Sequence, residues 1–220
     1  MSARRILVVG SANVDLVTRV PRCPKPGESL IGSSFATVAG GKGANQAVAA
    51  ARLGARTHFA GCVGCDAFGA MQRATLSADG IDLTYLKTHE SEPTGTAVIL
   101  VADEGQNIIV VTPAANLGIR PEDVDSMAPL FDDLDVVLMQ LEIPLATVEA
   151  TLDMARRKGV LSILDAGPAQ RVPESIVAKA DIVSPNETEA EAMTGIAVKS
   201  VQNAHRAASR LLDMGAREVV

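Results

Sequence analysis

The 220-residue chain carries 26 acidic and 20 basic side chains, a net charge of −6, and no block of basic residues, so the electrostatic footprint of a nucleic-acid binder is missing. Apolar residues make up 47% of the sequence, enough for a packed core, yet no stretch approaches the ~20 consecutive apolar residues of a membrane span. With no Trp and a single Tyr, there is little aromatic surface on which to stack a sugar, which would instead have to be held through its hydroxyls.

Residues 6–9 form a short, wholly apolar run of the kind buried in a parallel sheet. The run is too short for a signal-peptide core, and a cytoplasmic protein is expected. It empties into Gly10-Ser11-Ala12-Asn13-Val14-Asp15. Ligands of open parallel sheets sit beyond the carboxyl ends of the strands, which makes Asn13 and Asp15 candidates for sugar hydroxyls. A local Asx turn accounts for either residue equally well.

Short strands are expected over 16–20, 29–31 and 34–38, broken by Pro21, Pro24, Pro26 and Gly27. Gly40-Gly41-Lys42-Gly43 follows, then an alanine-rich helix over 45–53 that stops at Gly54. Glycines this dense are not expected inside a helix, where each costs about 0.5–1 kcal/mol relative to Ala. A side-chain-free turn that feeds a helix N-terminus gathers unpaired N–H groups and a positive dipole end. Gly41, Lys42, Gly43 and Asn45 are therefore candidate ligand contacts, with a plain glycine-rich connection as the alternative. The turn is neither a P-loop, since Gly43 follows Lys42 where Ser or Thr is required, nor a G-x-G-x-x-G fingerprint.

A strand over 57–63 and a helix over 68–78 come next. The strand ends in Cys62-Val63-Gly64-Cys65, two of the three cysteines. A zinc site lacks matching ligands, and small residues at a strand end explain the pair better than redox chemistry. Residues 94–101 and 107–111 flank Asp103-Glu104-Gly105-Gln106, a hairpin signal. With the strands before Gly40 they suggest a small sheet projecting as a lid, whose exposed face a second copy of the chain would cover. A helix is expected from Pro121 to about residue 130, then a buried strand over 136–139 leading to Glu142, a ligand candidate by position. A helix over 144–158, a strand over 161–164 and a short strand at 182–183 follow. Asn186 and Glu189 have capping-box spacing at a helix start; the functional alternative gives them to a metal–phosphate complex. An amphipathic helix over 200–214 precedes the start of a strand at 218–220.

Together Gly10-Ser11-x-Asn13-x-Asp15, Gly40-Gly41-Lys42-Gly43-Ala44-Asn45-Gln46-Ala47, Met139-Gln140-Leu141-Glu142 and Pro185-Asn186-Glu187-x-Glu189-Ala190 resemble the PfkB-type, ribokinase-like sugar kinases along the whole chain. The resemblance implies one α/β domain over 1–220. Its architecture would be a three-layer α/β/α sandwich with a mostly parallel central sheet and a small β-sheet lid, its strands within 16–39 and 94–111. It implies transfer of the γ-phosphoryl of ATP to the 5-hydroxyl of D-ribose. Asn13, Asp15, Gly41, Lys42, Gly43, Asn45 and Glu142 would hold the sugar, Asn186 would lie near the nucleotide phosphates, and Glu189 would place Mg²⁺ through water. A homodimer formed through the lid is also implied, with no nucleic-acid or membrane partner.

The family's catalytic Gly-Ala-Gly-Asp turn, its nucleotide loop and its K⁺ site are expected beyond Val220, so the C-terminal part of the fold, the base included, is expected to be missing and turnover by the 220 residues slight. The alternatives are a non-catalytic sugar-binding subunit and a kinase of a related sugar or nucleoside. Two further departures bear on these. Ala114-Ala115-Asn116 replaces the family's Gly-Ala-Asn, so the turn there is expected to differ. Asp165-Ala166-Gly167-Pro168 stands where ribose kinases often carry Asn-Pro-Ala-Pro.

Overall fold

The computed structural model describes residues 3–220. In chain order, β1 (Arg5–Val9) runs into β2 (Asn13–Val20), and β3 (Ser34–Gly40) returns to α1 (Lys42–Arg52). Then come β4 (Arg56–Gly64), α2 (Ala67–Ala78), β5 (Leu86–His89) and the hairpin β6 (Gly95–Ala102) and β7 (Asn107–Thr112). A 3-10 turn, Ala114–Gly118, leads to α3 (Pro121–Ser126), α4 (Ala128–Phe131), β8 (Val136–Met139) and α5 (Leu145–Lys158). The chain closes with β9 (Leu161–Asp165), α6 (Glu174–Val177), β10 (Ile182–Ser184), α7 (Glu187–Thr194), α8 (Val201–Asp213) and β11 (Glu218–Val219).

Seven strands make one parallel sheet in the order β11-β10-β9-β8-β1-β4-β5. Alternation along β1 divides the core. Val8 packs with Ala44, Ala47, Phe59 and Leu76 under α1 and α2. Leu7 and Val9 join Met127, Phe131, Val137, Met139, Val148 and Leu152 under α3, α4 and α5 on the other face. The result is the expected three-layer sandwich. A second sheet, ordered β3-β2-β6-β7, is mixed: β2 pairs with β6 in parallel and each outer pair is antiparallel. No helix among the described residues is long and apolar enough to cross a membrane.

Several expectations need correction. Asn13 and Asp15 do not sit in a loop after β1. They begin β2, where Asn13 pairs with Gly40 and Gly95, and Asp15 with Val38 and Ala97. Residues 29–31 are not a strand, having no neighbour to pair with, and the expected helix over 121–130 breaks at Met127 into α3 and α4. The largest correction concerns the glycines. Helix α1 starts at Lys42, so Gly43 lies inside its first turn. Propensity is a preference of under about 1 kcal/mol and yields to packing; a Cβ on Gly43 would lie 2.7 Å from the Ser11 nitrogen and 2.8 Å from the Gly10 carbonyl carbon.

The turn at Ala114, where the family's pattern has glycine, has a positive φ of 45°, and among the described non-glycine residues Ala114 alone does so. An L side chain in this region costs about 1–2 kcal/mol. Ala114→Gly should therefore raise unfolding free energy by about 1 kcal/mol in a urea titration, after the entropy glycine adds to the unfolded chain is subtracted.

Candidate functional site

The site is built where β1 gives way to β2 and α1 begins. Gly41 caps α1 with φ of 95°, and a Cβ there would lie 2.6 Å from the Asn13 nitrogen. Only glycine allows the two segments this close. The buried Ser11 binds the turn on both sides: its carbonyl accepts from Ala44 N–H at 2.9 Å and its hydroxyl from Gly43 N–H at 3.3 Å. That hydroxyl donates to Glu142 Oε2 at 2.5 Å. The same oxygen accepts from Lys42 N–H at 3.2 Å and Asn13 Nδ2 at 3.5 Å. Glu142 is thus fixed through one oxygen at the positive end of α1, and among the described residues Oε1 has no hydrogen-bond donor.

Asp15 faces Glu142 across this space. It accepts no hydrogen bond from the described residues. Burial pushes its carboxyl above the ordinary value, and the Glu142 carboxylate adds to the rise. Two carboxylates with open oxygens, neither of them in an ion pair with the described residues, present acceptors to a ligand that brings its own donors. Vicinal hydroxyls are such donors.

The root of β2 is held by residues the sequence did not single out as functional. Asn116 accepts from Ala12 N–H at 2.9 Å and donates to Asn13 Oδ1 at 2.7 Å. That second bond fixes which end of the Asn13 amide faces Glu142. Gln72, fully buried on α2, donates to the carbonyls of Asn13 and Gly40. Asp66 caps α2 through Gly69 N–H at 2.7 Å and also takes Thr94 N–H at 2.8 Å and Thr94 Oγ1 at 2.6 Å, tying the start of β6 to α2. No spacing rule finds Asn116 or Gln72, because their partners lie 103 and 59 residues away.

For Asp66, burial alone would raise the carboxyl, but the bonds from Thr94 and Gly69 outweigh it and hold it below the ordinary 3.8. A depressed folded value means that the stabilisation is complete above the unfolded value and fades as pH falls through the folded one. Asp66→Ala should cost about 1–2 kcal/mol at pH 7 by urea titration. The gap from the parent should close as the pH is taken below about 3.8.

Lys42, Glu189 and Gly167 meet on the far side of the turn. Lys42 Nζ lies 3.9 Å from Glu189 Oε1, and a Cβ on Gly167 would lie 2.7 Å from that oxygen. Asn186 and Glu189 form the capping box of α7: Glu189 N–H to Asn186 Oδ1 at 2.9 Å, and Asn186 N–H to Glu189 Oε2 at 2.8 Å. Glu189 is only 5% exposed and keeps Oε1 free of any hydrogen bond from the described residues. One such carboxylate fits a contact to a metal's water and not a metal cage; among the described residues no cluster of three ligating side chains occurs. Asn45 and Asn186 are exposed, Asn45 on the first turn of α1. Cys62 is buried and Cys65 exposed, both as free thiols apart from this site.

Residues 3–220 match the family model described as pfkB family carbohydrate kinase. The chain is 42% identical over 217 residues to the ribokinase of Haemophilus influenzae, covering 99% of itself and 71% of that protein. To a deoxyribokinase of Salmonella typhi it is 36% identical, covering 98% of itself and 71% of that protein. Among solved structures, Arabidopsis thaliana ribokinase complexed with ribose and ATP superposes with a TM-score of 0.89 at 35% identity, covering 99% of this chain and 71% of that one.

Proposed function

Since the chain belongs to the pfkB family of carbohydrate kinases, we propose that its sugar is D-ribose and that the atom phosphorylated by ATP is the ribose 5-hydroxyl. The observation that carries this reading is the pair Asp15 and Glu142, from β2 and the end of β8. Each has acceptor capacity to spare, beside the N–H groups that open α1. On this reading Asp15 and Glu142 accept from sugar hydroxyls. Asn13, with Asn116 fixing its amide, and the Gly41–Asn45 turn set the ring's orientation.

Lys42, whose Nζ lies 3.9 Å from Glu189 Oε1, would on this reading also supply positive charge to a transferring phosphoryl group. The Mg²⁺ that accompanies ATP neutralises charge on its phosphates. Glu189 would meet that ion through water, and Asn186 would flank the nucleotide. The three free thiols support a reducing, cytoplasmic setting. A homodimer through the smaller sheet is part of the same reading, supported by exposed Phe35, Val38, Val98, Ile109 and Val110. Light scattering should then give twice the 22.8 kDa chain mass.

Calorimetric titration with ribose, 2-deoxyribose, fructose and adenosine tests the sugar without requiring turnover. Ribose should bind tightest. Preference for deoxyribose or adenosine refutes ribose as substrate, and silence with all four refutes the site.

A further inference from the structure

Three amide and carboxylate side chains behind the glycine turn form a directional chain. Asp165, at the carboxyl end of β9, accepts from Gln46 Nε2 at 2.7 Å and, through its other oxygen, from Gly167 N–H at 3.1 Å. Gln46 Oε1 accepts from Gln140 Nε2 at 2.5 Å. Gln140 is fully buried, and its own Oε1 has no partner among the described residues. That oxygen occupies the space a Cβ on Gly10 would need.

The order of donors and acceptors along this chain is set from one end. A carboxylate only accepts, so Asp165 compels Gln46 to present its NH₂ group. Gln46 is then left with an acceptor for Gln140, and Gln140 is left with the orphan oxygen. Each member also adjoins a residue of the site. Gln46 follows Asn45 on α1, Gln140 precedes Glu142 with one residue between them, and Asp165 holds Gly167, which lies against Lys42 and Glu189. The three members come from three separate segments.

We infer that Asp165 is a positioning residue for the sugar site, acting through Gln46 and Gln140 to fix the first turn of α1 against the end of β8. It touches no substrate itself. Its charge matters because it gives the two glutamine amides a single orientation, and so holds Asn45 and Glu142 in register. This assignment rests on the sugar-site reading above.

Asp165→Asn keeps the shape but adds a donor. An asparagine that still accepts from Gly167 N–H turns its NH₂ toward Gln46, and the glutamines must reverse or leave two donors facing. Gln46→Glu alone sets two carboxylates against each other. The double variant D165N/Q46E restores every bond. The new amide at position 165 donates to the new carboxylate at position 46, that carboxylate accepts from Gln140, and Gly167 N–H stays satisfied.

Ribose affinity of the full 220-residue chain is measured by calorimetry for the parent, both single variants and the double, with thermal unfolding recorded for all four. Each single variant should weaken ribose about tenfold, as expected when a charged hydrogen bond that orders the site is lost. The double should return to within about threefold of the parent. Parent-like affinity in D165N, or a double no better than the weaker single, overturns the inference. A parent that binds no ribose overturns the sugar reading instead; the inference is then decided by the unfolding cycle, where recovery of the double's melting temperature supports the chain and simple additivity sinks it.

Discussion

On the proposed ribose-binding reading, Asp15→Ala should lower ribose affinity about 10²-fold and leave the protein at least as stable as before. Both halves of this outcome come from one fact: the Asp15 carboxylate receives no hydrogen bond from the described residues. Two charge-assisted bonds to sugar hydroxyls, at about 1.5 kcal/mol each, come to about 3 kcal/mol, or about 10²-fold in binding. Nothing comparable is lost on the protein side, because burial and the Glu142 carboxylate both raise the Asp15 carboxyl above its ordinary value. A raised carboxylate favours the fold when protonated, and that contribution disappears as pH rises through the folded value. The variant should therefore melt above the parent at pH 7, with the advantage vanishing below about pH 3.8, the ordinary value. Calorimetry and thermal unfolding across pH measure the two halves. A variant that binds ribose normally takes Asp15 out of the site, and one that melts below the parent means the carboxylate has a stabilising partner.

Gly43→Ala is expected to do the reverse, damaging fold and binding together. Helix propensity alone predicts a gain of about 1 kcal/mol from replacing glycine with alanine in α1. Contact wins over propensity here. The added methyl would stand 2.7 Å from the Ser11 nitrogen and 2.8 Å from the Gly10 carbonyl carbon, both main-chain atoms that have no rotamer to change. Overpacking of this kind costs about 1–3 kcal/mol, and relief requires α1 to move away from the end of β1. That motion stretches the Ser11 bonds to Gly43 and Ala44 and withdraws Lys42 N–H from Glu142. A net loss of about 1–2 kcal/mol in urea, with ribose affinity down at least about tenfold, is the expected result. A stabilised variant would show that the helix can shift freely.

Much of the alternation of strands and helices was legible in the sequence from periodicity and turn signals, though β5 and α6 were not, and the rule that ligands gather at strand carboxyl ends drew attention to Glu142. The starts of β2 and α1 were not legible either. A strand's edge against a second sheet leaves no local mark, so Asn13 and Asp15 read as loop residues. Gly43 looked unfit for a helix because its reason for being glycine lies at Gly10 and Ser11, just past β1 and more than 30 positions earlier. Asn116 drew notice only beside the departure at Ala114, and Asp165 only as a departure in its own short motif; their bonds to Asn13 and Gln46 come from folding and not from spacing. At Ala114 the sequence drew attention to a missing glycine, and the backbone there does adopt the positive φ that glycine tolerates best.

The smaller sheet shares its first residues with the floor of the cleft. Asn13 pairs at once with Gly40 and Gly95, and Gln72, Asn116 and the Asp66–Thr94 bonds clamp that junction. Asp15 is only two residues further along the same strand. Any displacement of the smaller sheet about this junction would therefore carry Asp15 with it. On the proposed reading, shielding of a sugar and its grip by Asp15 would then be one movement, and a substitution at the distant tip of β6 or β7 should alter affinity.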